Sequence, residues 1–173
     1  VSRFEEAFTI IRTLVREGAI DFDGVFYQLG DMELLPRARP DMKLLAGSNG
    51  PRMLRITMPH ADMWNSWHLD YGNRAPGLQR LSEVVDQACA DVGRDPAEVE
   101  RSAAVYVQLS RGSGRRPGSS EKQQSTPIRG DHDQIAEQLG LFAAVGASHL
   151  QVVLDPIDRA GIEELAEIVR LIR

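Results

Sequence analysis

Two groups of residues in this chain of 173 carry side chains and spacings suited to chemistry. The first is Gly47-Ser48-Asn49-Gly50, set between the apolar Leu44-Leu45-Ala46 and the apolar-periodic run that begins Pro51-Arg52-Met53-Leu54. Gly47 and Gly50 permit unusual backbone angles and close approach by another molecule, and Ser48 and Asn49 add short polar groups. Pro51 suits the first position of a helix, where a missing N–H costs nothing. The amides of Arg52, Met53 and Leu54 would then point back at the turn with the positive end of a helix dipole, an arrangement that binds anions and phosphate above all. The Arg52 guanidinium offers a charge-assisted contact. The spacing matches neither the Walker pattern nor G-x-G-x-x-G. On its own it fits a plain strand-to-helix turn as well as a phosphate site.

The second group lies downstream. His68 follows a strand in "NSWHLDYG" and reads either as an acid/base group or as a hydrogen-bonded loop histidine. Trp64 and Trp67 are packing residues or a stacking surface. Asn65 at a strand end is a polar contact, and Asp155 is a pocket carboxylate or a helix-opening residue before Pro156. Asp62 is expected to satisfy neighbouring backbone, and His60, His132 and His149 to be structural or solvated. No pair of His, Cys or carboxylates has metal-ligand spacing. The segment Ser110 to Thr126 is rich in Gly, Ser and Arg and is expected to be a flexible loop. It is a tolerated insertion, or a lid or cofactor-tail contact using Arg111, Arg115 and Arg116.

Regular elements must position these groups. Residues 2–17 show helical periodicity, with Ser2 and Glu5 at capping-box spacing and Gly18 as a stop. "DFDGVFYQLGD" reads as a small hairpin-like excursion with turn glycines on both sides of Val25-Phe26-Tyr27. After Pro40, strands at 42–46, 61–65, 103–109 and 149–155 alternate with helices at 51–59, 78–92 and 135–145 and a last one capped by Asp158. Asp131 and Gln134 have capping-box spacing at the third of these helices. Four apolar strands alternating with helices imply an α/β fold with a parallel sheet, which places ligands at the carboxyl ends of its strands.

Composition narrows the partners. The chain is 42% hydrophobic with a formal charge of -5, and its basic residues are scattered, so no nucleic-acid footprint is expected. No apolar run approaches roughly 18 residues, so no membrane partner is expected. The amino terminus lacks the layout of a signal peptide. A single cysteine, Cys89, excludes an internal disulfide, suits the cytoplasm and is expected on a buried helix face.

Taken in order, "RFEEAFTIIRTLVREG", "FDGVFYQL", "LLPRARP" and "KLLAGSNGPRMLRITMPHADMWNSW" resemble the bacterial luciferase-like monooxygenase family, and "GRDPAEVERS" and "IRGDHDQIAEQLGLFAAVGASHLQVVL" are similar to its closing segments. That family comprises flavin- and deazaflavin-dependent oxidoreductases on a TIM barrel. The resemblance implies a partial TIM barrel, about four βα units of a (β/α)8 fold, in a single domain spanning 1–173. It also implies that the turn cradles the phosphate of FMN or of the deazaflavin coenzyme F420 through Gly47, Ser48, Asn49 and Gly50 and the amides of Arg52 and Met53. Trp64, Asn65, His68 and Asp155 are the substrate-pocket candidates; no catalytic residue is named. A complete barrel takes roughly 250 residues, and the resemblance implies that the chain corresponds to its carboxyl-terminal half. The expected partners are the flavin cofactor, a small-molecule substrate, and either a missing amino-terminal half or a second copy. The alternatives are a non-catalytic flavin-binding half-barrel that assembles as a dimer or subunit, and a different phosphate-recognising barrel enzyme.

Overall fold

The computed structural model describes residues 1–114 and 125–172. Helix α1, Ser2–Arg16, turns an apolar stripe inward, with Phe4 stacked on Phe8 (5.8 Å between centroids) and Ile10 buried. The capping box expected from Ser2 and Glu5 does not form. Val1 is the N-cap, so Ser2 already sits inside the first turn, and its hydroxyl instead accepts from Arg52 Nη2 at 2.8 Å. Gly18 ends the helix at φ 83°, as its conformational freedom allows.

Strands β1, Ala19–Asp23, and β2, Gln28–Glu33, pair antiparallel as a separate two-stranded sheet. The hairpin is present, but Val25-Phe26-Tyr27 forms its turn rather than an extended arm. The cause is tertiary. The Glu6 carboxylate on α1 accepts the amides of Val25 (2.9 Å), Phe26 (2.9 Å) and Tyr27 (3.1 Å), gathering three consecutive N–H groups into a bend despite their strand-favouring side chains.

The main body comprises β3, Leu45–Ala46; α2, Pro51–Thr57; β4, Met63–Ser66; α3, Ala75–Asp91; β5, Glu100–Gln108; α4, His132–Ala144; β6, Ala147–Asp155; and α5, Arg159–Val169. The four strands form one parallel sheet in the order β3-β4-β5-β6. The expected strand at 42–46 shortens to two residues because its backbone is taken by side chains: Arg16 donates to Met42 O at 2.9 Å and Asp62 Oδ2 accepts Leu44 N at 2.6 Å. Asp62 thus satisfies neighbouring backbone, as expected. The Asp131–Gln134 capping box closes in both directions, and Asp158 caps α5 through Gly161 N at 2.7 Å.

Alternation along the strands separates two faces. Trp64, Ala103, Val105, Val107 and Leu154 face the helices and join their buried residues in one core. Cys89 of α3 lies within it, where burial pushes its thiol pKa up. The opposite face carries Asn65, Ser102 and Tyr106, and Ser102 Oγ donates to Asn65 Oδ1 at 3.0 Å. Among the described residues no helix is long and apolar enough to cross a membrane.

Candidate functional site

The carboxyl ends of β3 to β6 lie side by side, and the turn from β3 into α2 occupies one flank. Gly50 is the N-cap of α2 in an extended conformation (φ -76°, ψ 137°), and the first helical bond runs from Leu54 N to Gly50 O at 2.9 Å. The amides of Arg52 and Met53 therefore have no carbonyl to reach within the helix. Trp64 Nε1 donates to Ser48 O at 2.9 Å and pins the turn to β4.

Two side-chain atoms at this turn, Ser48 Oγ and Asn49 Oδ1, are shut off from solvent without a hydrogen-bond partner. Native proteins rarely leave such groups unpaired, because each costs about 1–3 kcal/mol. The two glycines sharpen the point. Neither lies at positive φ, so the unusual backbone angles expected from their type are not used. A Cβ on Gly50 would meet nothing nearer than Met53 Cγ at 3.9 Å, and one on Gly47 nothing nearer than Asn65 O at 3.8 Å. A Cβ would thus make only ordinary van der Waals contact at either position, and the fold itself does not require glycine there. The groups present fit a phosphate and the carbon chain next to it. Ser48 Oγ can donate to a phosphate oxygen, and Asn49 Oδ1 can accept from a neighbouring hydroxyl.

The expected contribution of the Arg52 side chain is not seen. Its guanidinium turns away to α1, donating to Ser2 Oγ and standing 3.6 Å from the Glu5 carboxylate, because the opposite charge lies there. Only its amide stays at the turn.

A second cluster spans the ends of β4, β5 and β6. Trp67 is half-exposed, whereas His68 beside it is fully buried. The His68 ring lies 4.5 Å from the Trp67 ring and 5.6 Å from that of Tyr106, and its Nδ1 stands 2.5 Å from Ser125 Oγ. Its Nε2 is buried without a partner. Burial lowers the His68 pKa below the ordinary histidine value, with the nearby Asp70 charge pulling weakly the other way. Asp155, buried at the end of β6, accepts Gly114 N at 2.8 Å and lies 3.5 Å from the Tyr106 hydroxyl.

Sequence reasoning overlooked Tyr106. The signal was available in "SAAVYVQL", where alternation puts Ser102 and Tyr106 opposite Val105 and Val107. Asn73 gave no such signal. Fully buried at φ 57°, it donates to Tyr106 O (2.8 Å) and accepts Tyr106 N (2.9 Å), holding β5 where β4 has already ended. Tyr71 does the same one step back, its hydroxyl donating to Ala104 O at 2.7 Å.

The pocket candidates thus divide. His68 and Asp155 meet through Tyr106, and Asn65 lies on the same sheet face further down. Trp64 is wholly buried on the helix side, supporting the turn at 47–50 from behind. Arg111 pairs with Asp158 at 3.4 Å, while Arg115 and Arg116 lie outside the described residues. His60 contacts Arg12 (3.2 Å), His132 contacts Glu164 (3.4 Å), and His149 is exposed. Among the described residues no group of three or more His, Cys, Asp or Glu could hold a metal.

Residues 1–115 match the family model for luciferase-like monooxygenase. The chain is similar to the phthiodiolone/phenolphthiodiolone dimycocerosates ketoreductases of Mycobacterium kansasii (33% identical over 115 residues, 64% of this chain and 30% of that protein) and of Mycobacterium tuberculosis strain H37Rv (32% over 115 residues, 64% and 29%). Among solved structures it resembles an F420-dependent secondary alcohol dehydrogenase in complex with an F420-acetone adduct (TM-score 0.71, 14% identity, 97% of this chain and 60% of that one). It also resembles the coenzyme F420-dependent tetrahydromethanopterin reductase of Methanopyrus kandleri (TM-score 0.69, 13% identity, 96% and 60%) and the EDTA monooxygenase of Chelativorans sp. BNC1 (TM-score 0.68, 11% identity, 99% and 58%). At these identities the structural likeness establishes the fold, part of a TIM barrel. The chain spans about 30% of the length of those curated relatives and about 60% of those solved chains.

Proposed function

The chain belongs to the luciferase-like monooxygenase family, and from that membership we propose that it forms the cofactor-anchoring part of a flavin- or deazaflavin-dependent oxidoreductase. The observation that carries this reading is the turn at 47–50, where two buried polar atoms lack partners beneath two glycines that the fold does not itself need. Ser48 and the amides of Arg52 and Met53 hold the phosphate of FMN or F420, and Asn49 holds a hydroxyl of the chain leading from it. A bound flavin or deazaflavin supplies the two-electron chemistry. The protein's own part is to anchor the phosphate, to present the substrate along Trp67, His68, Tyr106 and Asp155, and to limit the access of water. The names of two relatives, a ketoreductase and a secondary alcohol dehydrogenase, favour a carbonyl/alcohol pair as the substrate class. The single thiol, buried in the core, suits a reducing cytoplasm.

Titration with FMN, F420 and a simple sugar phosphate tests the assignment. Saturable binding of FMN or F420, with weak competition from the sugar phosphate, is the expected result. Equal competition by the sugar phosphate would remove the cofactor claim and leave a general phosphate site.

One observation favours a second reading, binding without turnover. The sheet face that a whole barrel would enclose leaves His149 and Gln151 exposed here. On that reading a second copy or a further part of the protein covers the face, and only the assembled barrel turns over.

A further inference from the structure

The cluster at the ends of β4 to β6 contains one feature the phosphate turn does not explain. Imidazole Nε2 of His68 is sealed from solvent and unpartnered, while Nδ1 is already committed to Ser125 Oγ at 2.5 Å. The ring is wedged against Trp67 and Tyr106. The charged and titratable groups around it are Asp70 after β4, the Tyr106 phenol on β5 and Asp155 at the end of β6. Burial lowers the pKa of the ring below the ordinary histidine value, favouring its neutral form.

A neutral imidazole has one N–H and one lone pair. The Ser125 hydroxyl can donate to Nδ1 or accept from it by rotating its hydrogen, so the tautomer can change without any heavy atom moving. In one state Nε2 offers an N–H, and in the other a lone pair. Those are the two partners needed by the oxidised and reduced forms of one substrate, a carbonyl oxygen and a hydroxyl.

The geometry points to His68 Nε2 as the group that holds and protonates the oxygen of a carbonyl/alcohol substrate, with Ser125 as its relay partner. This rests on the redox reading above. In the reducing direction, a bound reduced flavin or deazaflavin would supply hydride for the new C–H bond at the carbonyl carbon. The Nε2–H bond breaks as the substrate O–H forms. Nδ1 takes the Ser125 hydroxyl proton, and Ser125, which is only partly buried, regains one from solvent. The carbonyl gains the two electrons that the cofactor loses, and the proton given to its oxygen is replaced from solvent through Ser125. Oxidation of the alcohol runs the same path backwards.

The test is long-range proton–nitrogen NMR on the 15N-labelled chain, with His68 assigned by the loss of its signals in His68→Gln. With FMN or F420 bound, acetone should move His68 Nε2 towards the N–H position and 2-propanol towards the lone-pair position, leaving His60, His132 and His149 unmoved. Ser125→Ala removes the relay partner without touching the core. It should abolish this two-way response and weaken acetone binding about tenfold, with cofactor affinity unchanged. Bound cofactor with an Nε2 signal that answers neither probe, or one held by a bound water only, would overturn the assignment while sparing the redox reading. Failure of both FMN and F420 to bind would overturn the two together.

Discussion

The two ends of the parallel sheet treat their polar groups differently. At the amino end, buried and half-buried polar groups are matched. Arg101, buried at the start of β5, pairs with Asp86 and donates to Val99 O. Arg94 donates to the carbonyls of Met58 (2.5 Å) and Ala61 (2.7 Å). Asp62 joins Leu44 N to Arg16, and Lys43 pairs with Glu100. At the carboxyl end Ser48 Oγ, Asn49 Oδ1 and His68 Nε2 are left over. Ser82 Oγ is the fourth unpartnered atom among the described residues and belongs to neither end, since it lies on the buried side of α3. Polar groups at one end stabilise the fold. At the other, these three atoms stay buried without partners, at a cost in stability.

The contrast breaks most visibly at Gly50. Gly50→Val sets its Cβ in ordinary contact with Met53 Cγ and clashes with nothing, so the far-UV circular dichroism should stay close to that of the parent while FMN or F420 affinity falls about 100-fold or more. Unchanged affinity would remove the turn from the site. The opposite behaviour is expected at the amino end. Arg94→Ala strands two carbonyls and should cost about 2 kcal/mol in urea unfolding with little effect on cofactor affinity. Between the two ends stands Trp64→Phe, which keeps most of the core volume and loses the bond to Ser48 O. It should cost about 1 kcal/mol and also weaken cofactor binding, since the turn loses its anchor to β4.

Titration adds a smaller effect with a definite sign. Burial depresses the folded-state pKa of His68, and burial together with Arg12 and Arg94 depresses that of His60, both below the ordinary value of 6.5. The unfolded chain therefore binds more protons as the pH falls below 6.5, and stability should be full above that value and decline as pH drops through the folded pKa values. Urea midpoints measured across this range should fall less steeply in His68→Gln. Smallest of all is Arg52→Ala. Its guanidinium faces Ser2 and Glu5 on the surface, so its removal should change cofactor affinity by about twofold or less.

Much of the architecture was legible because it depends on local periodicity. The alternation of apolar strands with amphipathic helices, the Asp131–Gln134 box and the Asp158 cap are all written within a few residues of one another. The Glu6 clasp that bends Val25-Phe26-Tyr27 into a turn joins residues about twenty apart, and no window on the hairpin alone contains it. Ser2 shows the same limit at smaller scale, since the spacing of a capping box was present and a one-residue shift in the helix start put its hydroxyl to another use.

The site divides in the same way. The sequence by itself determined the strand-to-helix turn at 47–50, because a run of small polar residues between a strand and a proline-led helix has few ways to fold. It also determined the family, through the order and spacing of short motifs along the chain. Only the tertiary structure decided that Arg52 faces away, that Trp64 supports the turn from behind, and that His68 meets Tyr106 and Ser125. Strand ends distant in sequence become neighbours when a parallel sheet closes. Which polar atoms are then left without a partner depends on all the neighbours at once.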